Sequence, residues 1–220
     1  MPAAPHIVPI LATPFGVVPL PEAEAGNAEL VALVDARIRS GGSAVASTHG
    51  CRQGDDDFFG WQEPSAQVLR GAMLSGVGAM VEAVNRFSDD ELTHIHPEAR
   101  AWFTVVEQDG YIPAVAHPLT AWCAVYCIMA PTAPTDRQDS GILRLHESRL
   151  GTMFQDATNA TMRIPYLTGH YGWRPVPGQM AVFPACVTHE VALLRAPGRL
   201  ILVTARVRYV ASGQQGWGRW

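Results

Sequence analysis

The side chains that could do chemistry in this 220-residue chain are mostly imidazoles and guanidiniums: His6, His49, His94, His96, His117, His146, His170 and His189, with sixteen arginines and no lysine. The lack of lysine excludes a Schiff-base amine, a P-loop lysine and a lysine general base. A GxGxxG fingerprint, a Walker loop, a GxSxG elbow and an HExxH pair are also absent from the sequence. His189 has the most informative surroundings. It follows Pro177-Gly178-Gln179-Met180-Ala181-Val182-Phe183-Pro184 and opens His189-Glu190-Val191, with Arg199 ten residues on and Leu200-Ile201-Leu202-Val203 after it. The pattern reads as a turn, a strand, a bend presenting an imidazole, a loop, and a returning strand led by an arginine. Antiparallel neighbours of this kind are expected to put His189 and Arg199 on adjoining walls of one cavity. A metal ligand beside a fixed guanidinium suits an anion that chelates the metal at one end and carries a carboxylate at the other.

Pro177, Gly178, Phe183, Pro184, His189, Val191 and Arg199 together resemble the C-terminal core of the iron(II)/2-oxoglutarate-dependent oxygenases. The likeness is to the aspartyl/asparaginyl β-hydroxylase-like branch and to short bacterial 2-oxoglutarate oxygenases. Trp102, the stretch His117 to Tyr126, and Gly141 to Arg149 are similar to upstream motifs of the bacterial group, so the resemblance spans about residues 100 to 210. It implies a double-stranded β-helix holding Fe(II) through His117 and His189, with 2-oxoglutarate anchored by Arg199. It also implies hydroxylation of a small molecule or an amino-acid residue, with release of succinate and carbon dioxide.

The sequence departs from that pattern at the third ligand. Pro118 and Leu119 follow His117, where most of the superfamily completes a facial triad with a carboxylate two residues on. The bacterial group often has a further histidine where Val115 stands. Water, Glu107, Asp109, His146 or His170 remain open as the missing ligand. Arg149, His170, Tyr126 and Trp122 are candidate substrate contacts, His170 because polar aromatic loops at a barrel mouth often meet substrate. His94 and His96 would share a face on a strand, but they follow a capping box and are expected at a helix end.

The elements that must position these residues change character near residue 100. Asn27, with Val31, Val34 and Ile38 at helical spacing and Gly41-Gly42 behind, predicts one helix. Leu69, Met73, Val77, Met80, Val81 and Val84 predict a second from about Pro64, rich in small residues. Ser88 and Glu91 predict a third, short helix, and Thr48–Trp61 reads as a solvated loop tucked down by Phe58, Phe59 and Trp61. From residue 101 onward, runs at 101–106, 122–129, 141–145, 180–183, 189–194 and 200–210 alternate with proline and glycine. Short strands without interleaved helices predict a mainly β fold, a jelly roll or double-stranded β-helix. The expected organisation is a helical part over 1–100 buttressing the barrel, a β core over 101–211, and a flexible tail over 212–220.

Apolar residues at 48% suffice for a core, while a net charge of −4 argues against nucleic acid as the main partner. Cys51, Cys123, Cys127 and Cys186 lack a CxxC spacing and read as buried reduced thiols. The chain start lacks a signal-peptide pattern and no apolar run is long enough to span a bilayer, so a cytoplasmic, non-membrane protein is expected. The small-residue helix leaves a homodimer open. The competing expectation is a cupin-like binding or structural protein without redox activity, favoured by Val115 and Leu119 at positions where relatives carry ligands.

Overall fold

The computed structural model describes residues 12–41, 45–46, 49–132, 138–147, 162–166 and 169–211. The strands are β1 (Gly16–Pro19), β2 (Val45–Ala46), β3 (Cys51–Gln53), β4 (Ile95–Glu107), β5 (Ile112–Val115), β6 (Trp122–Met129), β7 (Leu143–His146), β8 (His170–Trp173), β9 (Gln179–Pro184), β10 (His189–Val191) and β11 (Arg199–Ala211). The helices are α1 (Pro21–Glu24), α2 (Asn27–Arg39), α3 (Pro64–Val84) and α4 (Asp89–Thr93), with a 3-10 turn at Phe58–Gly60.

Strand β6 shows why the chain folds as it does. It is apolar at every position, as a strand buried on both faces must be. Trp122, Ala124, Tyr126 and Ile128 join one core, and Cys123, Val125 and Cys127 the other. Strands β9 and β11 alternate in the same way: Met180 and Val182 against Ala181 and Phe183, then Ile201 and Val203 against Leu200 and Leu202. The antiparallel strands form a seven-stranded sheet in the order β1-β9-β6-β11-β4-β3-β2 and a four-stranded sheet in the order β5-β10-β7-β8. From β4 onward, successive strands pass between the two sheets, apart from the β7–β8 hairpin. That winding makes a double-stranded β-helix, with one core between the sheets.

The second core lies between the large sheet and the helices. Leu69, Met73, Val77 and Val81 recur every fourth residue on α3 and are buried, whereas Val84 in the last turn is exposed. Gly76 lets α3 approach β9: a Cβ there would lie 2.6 Å from Cε of Met180. Ser88 and Glu91 form the expected reciprocal cap of α4, since Glu91 accepts from the Ser88 N–H and hydroxyl and its own N–H donates to Ser88 Oγ.

The N-terminal hundred residues also supply strands, which the sequence reading missed. Strands β1 and β3 pair with β9 and β4, and β4 begins at Ile95 rather than at residue 101. The segment read as a solvated loop contains β3 and the 3-10 turn, whose Phe58 and Phe59 are buried, as is Trp61 just after it. Three cysteines are buried as expected, but Cys186 is exposed. The tail expected over 212–220 lies outside the described residues. Among the described residues, no helix is long and apolar enough to cross a membrane.

Candidate metal centre and active-site cavity

Two separate backbone devices bring His117 and His189 together. His117 stands two residues beyond the end of β5, where its N–H donates to the Ala185 carbonyl (2.7 Å). Its own carbonyl accepts the Thr120 N–H (3.2 Å) and hydroxyl (3.0 Å). His189 opens β10 between β5 and β7, opposite Val115 on one side and Leu145 on the other. The turn before it is closed by the Val187 N–H donating to the Pro184 carbonyl (3.0 Å). The two imidazole centroids are 5.4 Å apart. Trp102 packs edge-on against His117 (5.4 Å) and Phe183 against His189 (4.9 Å), which fixes both rings.

Proton placement follows from the partners. His189 Nδ1 lies 2.9 Å from the Val187 carbonyl, an acceptor, so Nδ1 carries the hydrogen and the Nε2 lone pair faces inward. That Nε2 is 4.0 Å from Cys123 Sγ. His117 Nε2 is buried and has no hydrogen-bond partner among the described residues. Burial, with His189 and then Arg206 nearby, pushes the His117 imidazole down to about 4. Burial also lowers His189, against the opposing bond to Val187. Both rings are therefore neutral near pH 7, the form that ligates a metal.

The two rings line a cavity of about 480 Å³ together with Trp102, Thr104, Val115, Asp56 and Arg206. Arg199 is absent from its walls, contrary to expectation. Its guanidinium makes a bidentate pair with Asp35 of α2 (2.5 and 2.8 Å). The reason is strand parity: Arg199 shares the face of Ile201, Val203, Ala205 and Val207, which pack toward the helices, while Leu202, Thr204 and Arg206 line the cavity. Arg206 is thus the cavity's guanidinium. It sits 5.3 Å over the Trp102 ring and 3.5 Å from Asp56, whose nearer partner is Arg100 at 3.0 Å.

The other candidates fall elsewhere. Trp122 and Tyr126 belong to the helix-side core, for the same parity reason, and the Tyr126 hydroxyl donates to Asn27 Oδ1 (2.9 Å). His170 and His146 line a second cavity of about 300 Å³ with Phe15, Tyr171 and Val187, their rings 6.2 Å apart. Of the residues left open as a third ligand, Asp109 is ion-paired to Arg195 (2.9 Å), His146 lies 3.7 Å from Glu190, and Glu107 stands opposite Arg199 in the β4–β11 register. His94 is the turn residue between α4 and β4, 3.9 Å from Asp90, and His96 is exposed at the start of β4 rather than at a helix end. Arg149 lies outside the described residues.

What sequence reasoning missed is Cys123. Among the described residues, His117, Cys123 and His189 form the one group able to share a metal, with ligand atoms all within 4.8 Å of one another. Asp56 and Glu190, the carboxylates on the cavity wall, stand outside that group.

No family model matches the sequence, and no curated protein matches it. Solved structures do match in three dimensions. A prolyl-4-hydroxylase from Pseudomonas putida superposes with a TM-score of 0.59 at 15% identity, over 88% of this chain and 91% of that one. HygX from Streptomyces hygroscopicus, solved with nickel and 2-oxoglutarate bound, gives 0.54 at 12% identity, over 94% and 86%. A prolyl hydroxylase from Trichoplax adhaerens, in complex with a hypoxia inducible factor peptide fragment, gives 0.56 at 13%, over 88% and 83%. The chain has the fold of the 2-oxoglutarate oxygenases. Within that oxygenase fold, two neutral imidazoles with ligand atoms within 4.8 Å of each other, one with a buried nitrogen that lacks a protein partner among the described residues, fit a divalent cation. An unsatisfied buried nitrogen is costly, and coordination satisfies it.

Proposed function

We propose that this protein is a non-haem Fe(II)/2-oxoglutarate-dependent oxygenase that hydroxylates an unactivated C–H bond of a small molecule or an amino-acid residue. The observation that carries the reading is that His117 and His189 meet on the wall of one cavity of this fold, with a buried His117 nitrogen left unpartnered among the described residues. Iron bound there would activate dioxygen at the expense of 2-oxoglutarate, which leaves as succinate and carbon dioxide.

The protein's own residues have definable tasks. His117 and His189 hold the cation. Val187 keeps His189 in the ligating tautomer, as outer partners of metal histidines commonly do. Arg206 pairs with the distal carboxylate of the co-substrate in place of Arg199, and Trp102 supports its guanidinium plane. Leu202, Val125 and Leu143 give the cavity apolar walls that exclude bulk water. The second cavity, with His170 and Tyr171 at its rim, is the proposed substrate contact. The row His189, Phe183, Phe15, Tyr171 connects it to the metal site, with ring centroids 4.9, 6.4 and 5.0 Å apart.

Anaerobic titration of the protein with Fe(II) and 2-oxoglutarate tests the proposal. The expected result is the weak visible charge-transfer band of a chelated oxoacid, lost in His189→Ala, and succinate release on admitting air. No band and no succinate would instead support a cupin-like binding protein without redox activity, the reading that Val115 in the cavity wall favours.

A further inference from the structure

Strand β5 leaves the centre short of a ligand on one side. Val115 is the direct cross-strand partner of His189, and both line the cavity, so a ligating side chain at 115 would lie beside the metal. An isopropyl group stands there instead. On the other side, β6 delivers Cys123 in register with Phe183 of β9 and Arg206 of β11. This places the thiol on the same inward face as the cavity's guanidinium. Its sulfur is 4.0 Å from His189 Nε2. Two donors bound to one cation at about 2.1–2.3 Å lie roughly 3.5 Å apart at a tetrahedral angle, so this pair closes with a movement of about 0.5 Å, and the full set, within 4.8 Å, with at most about 1.3 Å.

We infer that Cys123 is the third protein ligand, giving a His117–Cys123–His189 centre in place of two histidines and a carboxylate. This rests on the reading that His117 and His189 hold a divalent cation. The Cys123 S–H gives its proton to solvent as the sulfur–metal bond forms, one proton per cation, with no change of oxidation state. Two imidazoles and a thiolate are a softer donor set than the facial triad, so the site retains zinc and cobalt more strongly than a carboxylate-bearing site would.

Cobalt(II) alone, added anaerobically to metal-free protein, provides the test because thiolate ligation has its own absorption. The wild type is expected to bind one equivalent with an intense near-ultraviolet thiolate-to-cobalt band. Cys123→Ser should lose the band and bind at least about 100-fold more weakly, beyond what losing an outer partner costs. Cys127→Ser, buried on the same strand face, should keep both. Val115→His in the Cys123→Ser background should regain affinity without the band, which separates loss of a ligand from loss of fold. A wild type that binds cobalt with no thiolate band, matched by Cys123→Ser, overturns this inference and leaves the two-histidine reading standing. A wild type that binds no cobalt, or a band that survives in His189→Ala, overturns both.

Discussion

Replacing Arg199 by methionine separates a structural guanidinium from a co-substrate anchor. The pair with Asp35 comprises two charge-assisted hydrogen bonds, at 2.5 and 2.8 Å, between side chains each 28% exposed. Buried bonds to charged groups contribute about 1.5–3 kcal/mol each, and fully exposed pairs about 0.2–1 kcal/mol. At this exposure solvent screening brings the whole pair to about 1–2 kcal/mol. For a chain of this size the melting temperature should fall by about 2–8 °C. The pH dependence adds a second signature. The hydrogen bond from Arg199 is the largest of the effects that hold the Asp35 carboxyl below its usual range. Its stabilisation is therefore fully present above the unfolded carboxyl value of about 4 and is lost as pH falls through the lower folded value. Thermal melts of wild type and Arg199→Met should differ most near neutrality and converge below about pH 4. Oxoglutarate affinity, measured by titration of the metal-loaded protein, should not change. Arg206→Met should do the opposite, losing about 10-fold or more in oxoglutarate affinity with little change in melting. If Arg199→Met melts like wild type but loses oxoglutarate, the assignment of the two arginines is reversed.

Three further outcomes are expected. Tyr126→Phe leaves Asn27 Oδ1 without its donor in the helix-side core, costing about 1–2 kcal/mol in urea unfolding while cobalt binding is unchanged. An altered cobalt spectrum would put Tyr126 back in the cavity. Gly110→Ala brings a Cβ to 2.3 Å from the Gly50 carbonyl oxygen, a backbone atom that cannot swing aside, and should destabilise by about 1–3 kcal/mol. An unchanged unfolding midpoint would refute that close approach. Trp102→Leu removes the ring under Arg206 and should weaken oxoglutarate about 2–5-fold in the same titration, without shifting cobalt stoichiometry.

The sequence made some of this architecture readable because the relevant signals are local. The α2 and α3 stripes, the cap of α4 and the long strands β6 and β11 follow from periodicity and capping within each segment. The missed strands are short and owe their existence to partners. Cys51–Gln53 becomes a strand only because β4 pairs with it, and Ile112–Val115 carries Pro113, which is tolerated because β5 is an edge strand. The sequence singled out both histidines that line the cavity, but Arg199 was assigned by its distance along the chain rather than by its face. The corrective signal lay in β4 and β11, where Thr104, Thr204 and Arg206 break otherwise apolar runs and all line the cavity. Buried polar groups at period two mark a cavity wall. Cys123 gave no comparable signal, since a buried cysteine between apolar neighbours looks like ordinary filler.

Strand β11 pairs with β4 residue for residue from Arg199 to Ala211, and its two faces serve different compartments. An insertion or deletion therefore has very different consequences a few positions apart. At Pro197-Gly198, exposed and outside the ladder, extra length is taken up by the turn. Inside the strand, one added or lost residue would hand the cavity's guanidinium to the helices and turn a core valine into the cavity. Length variation among natural or engineered versions of this chain should accordingly stop at Arg199.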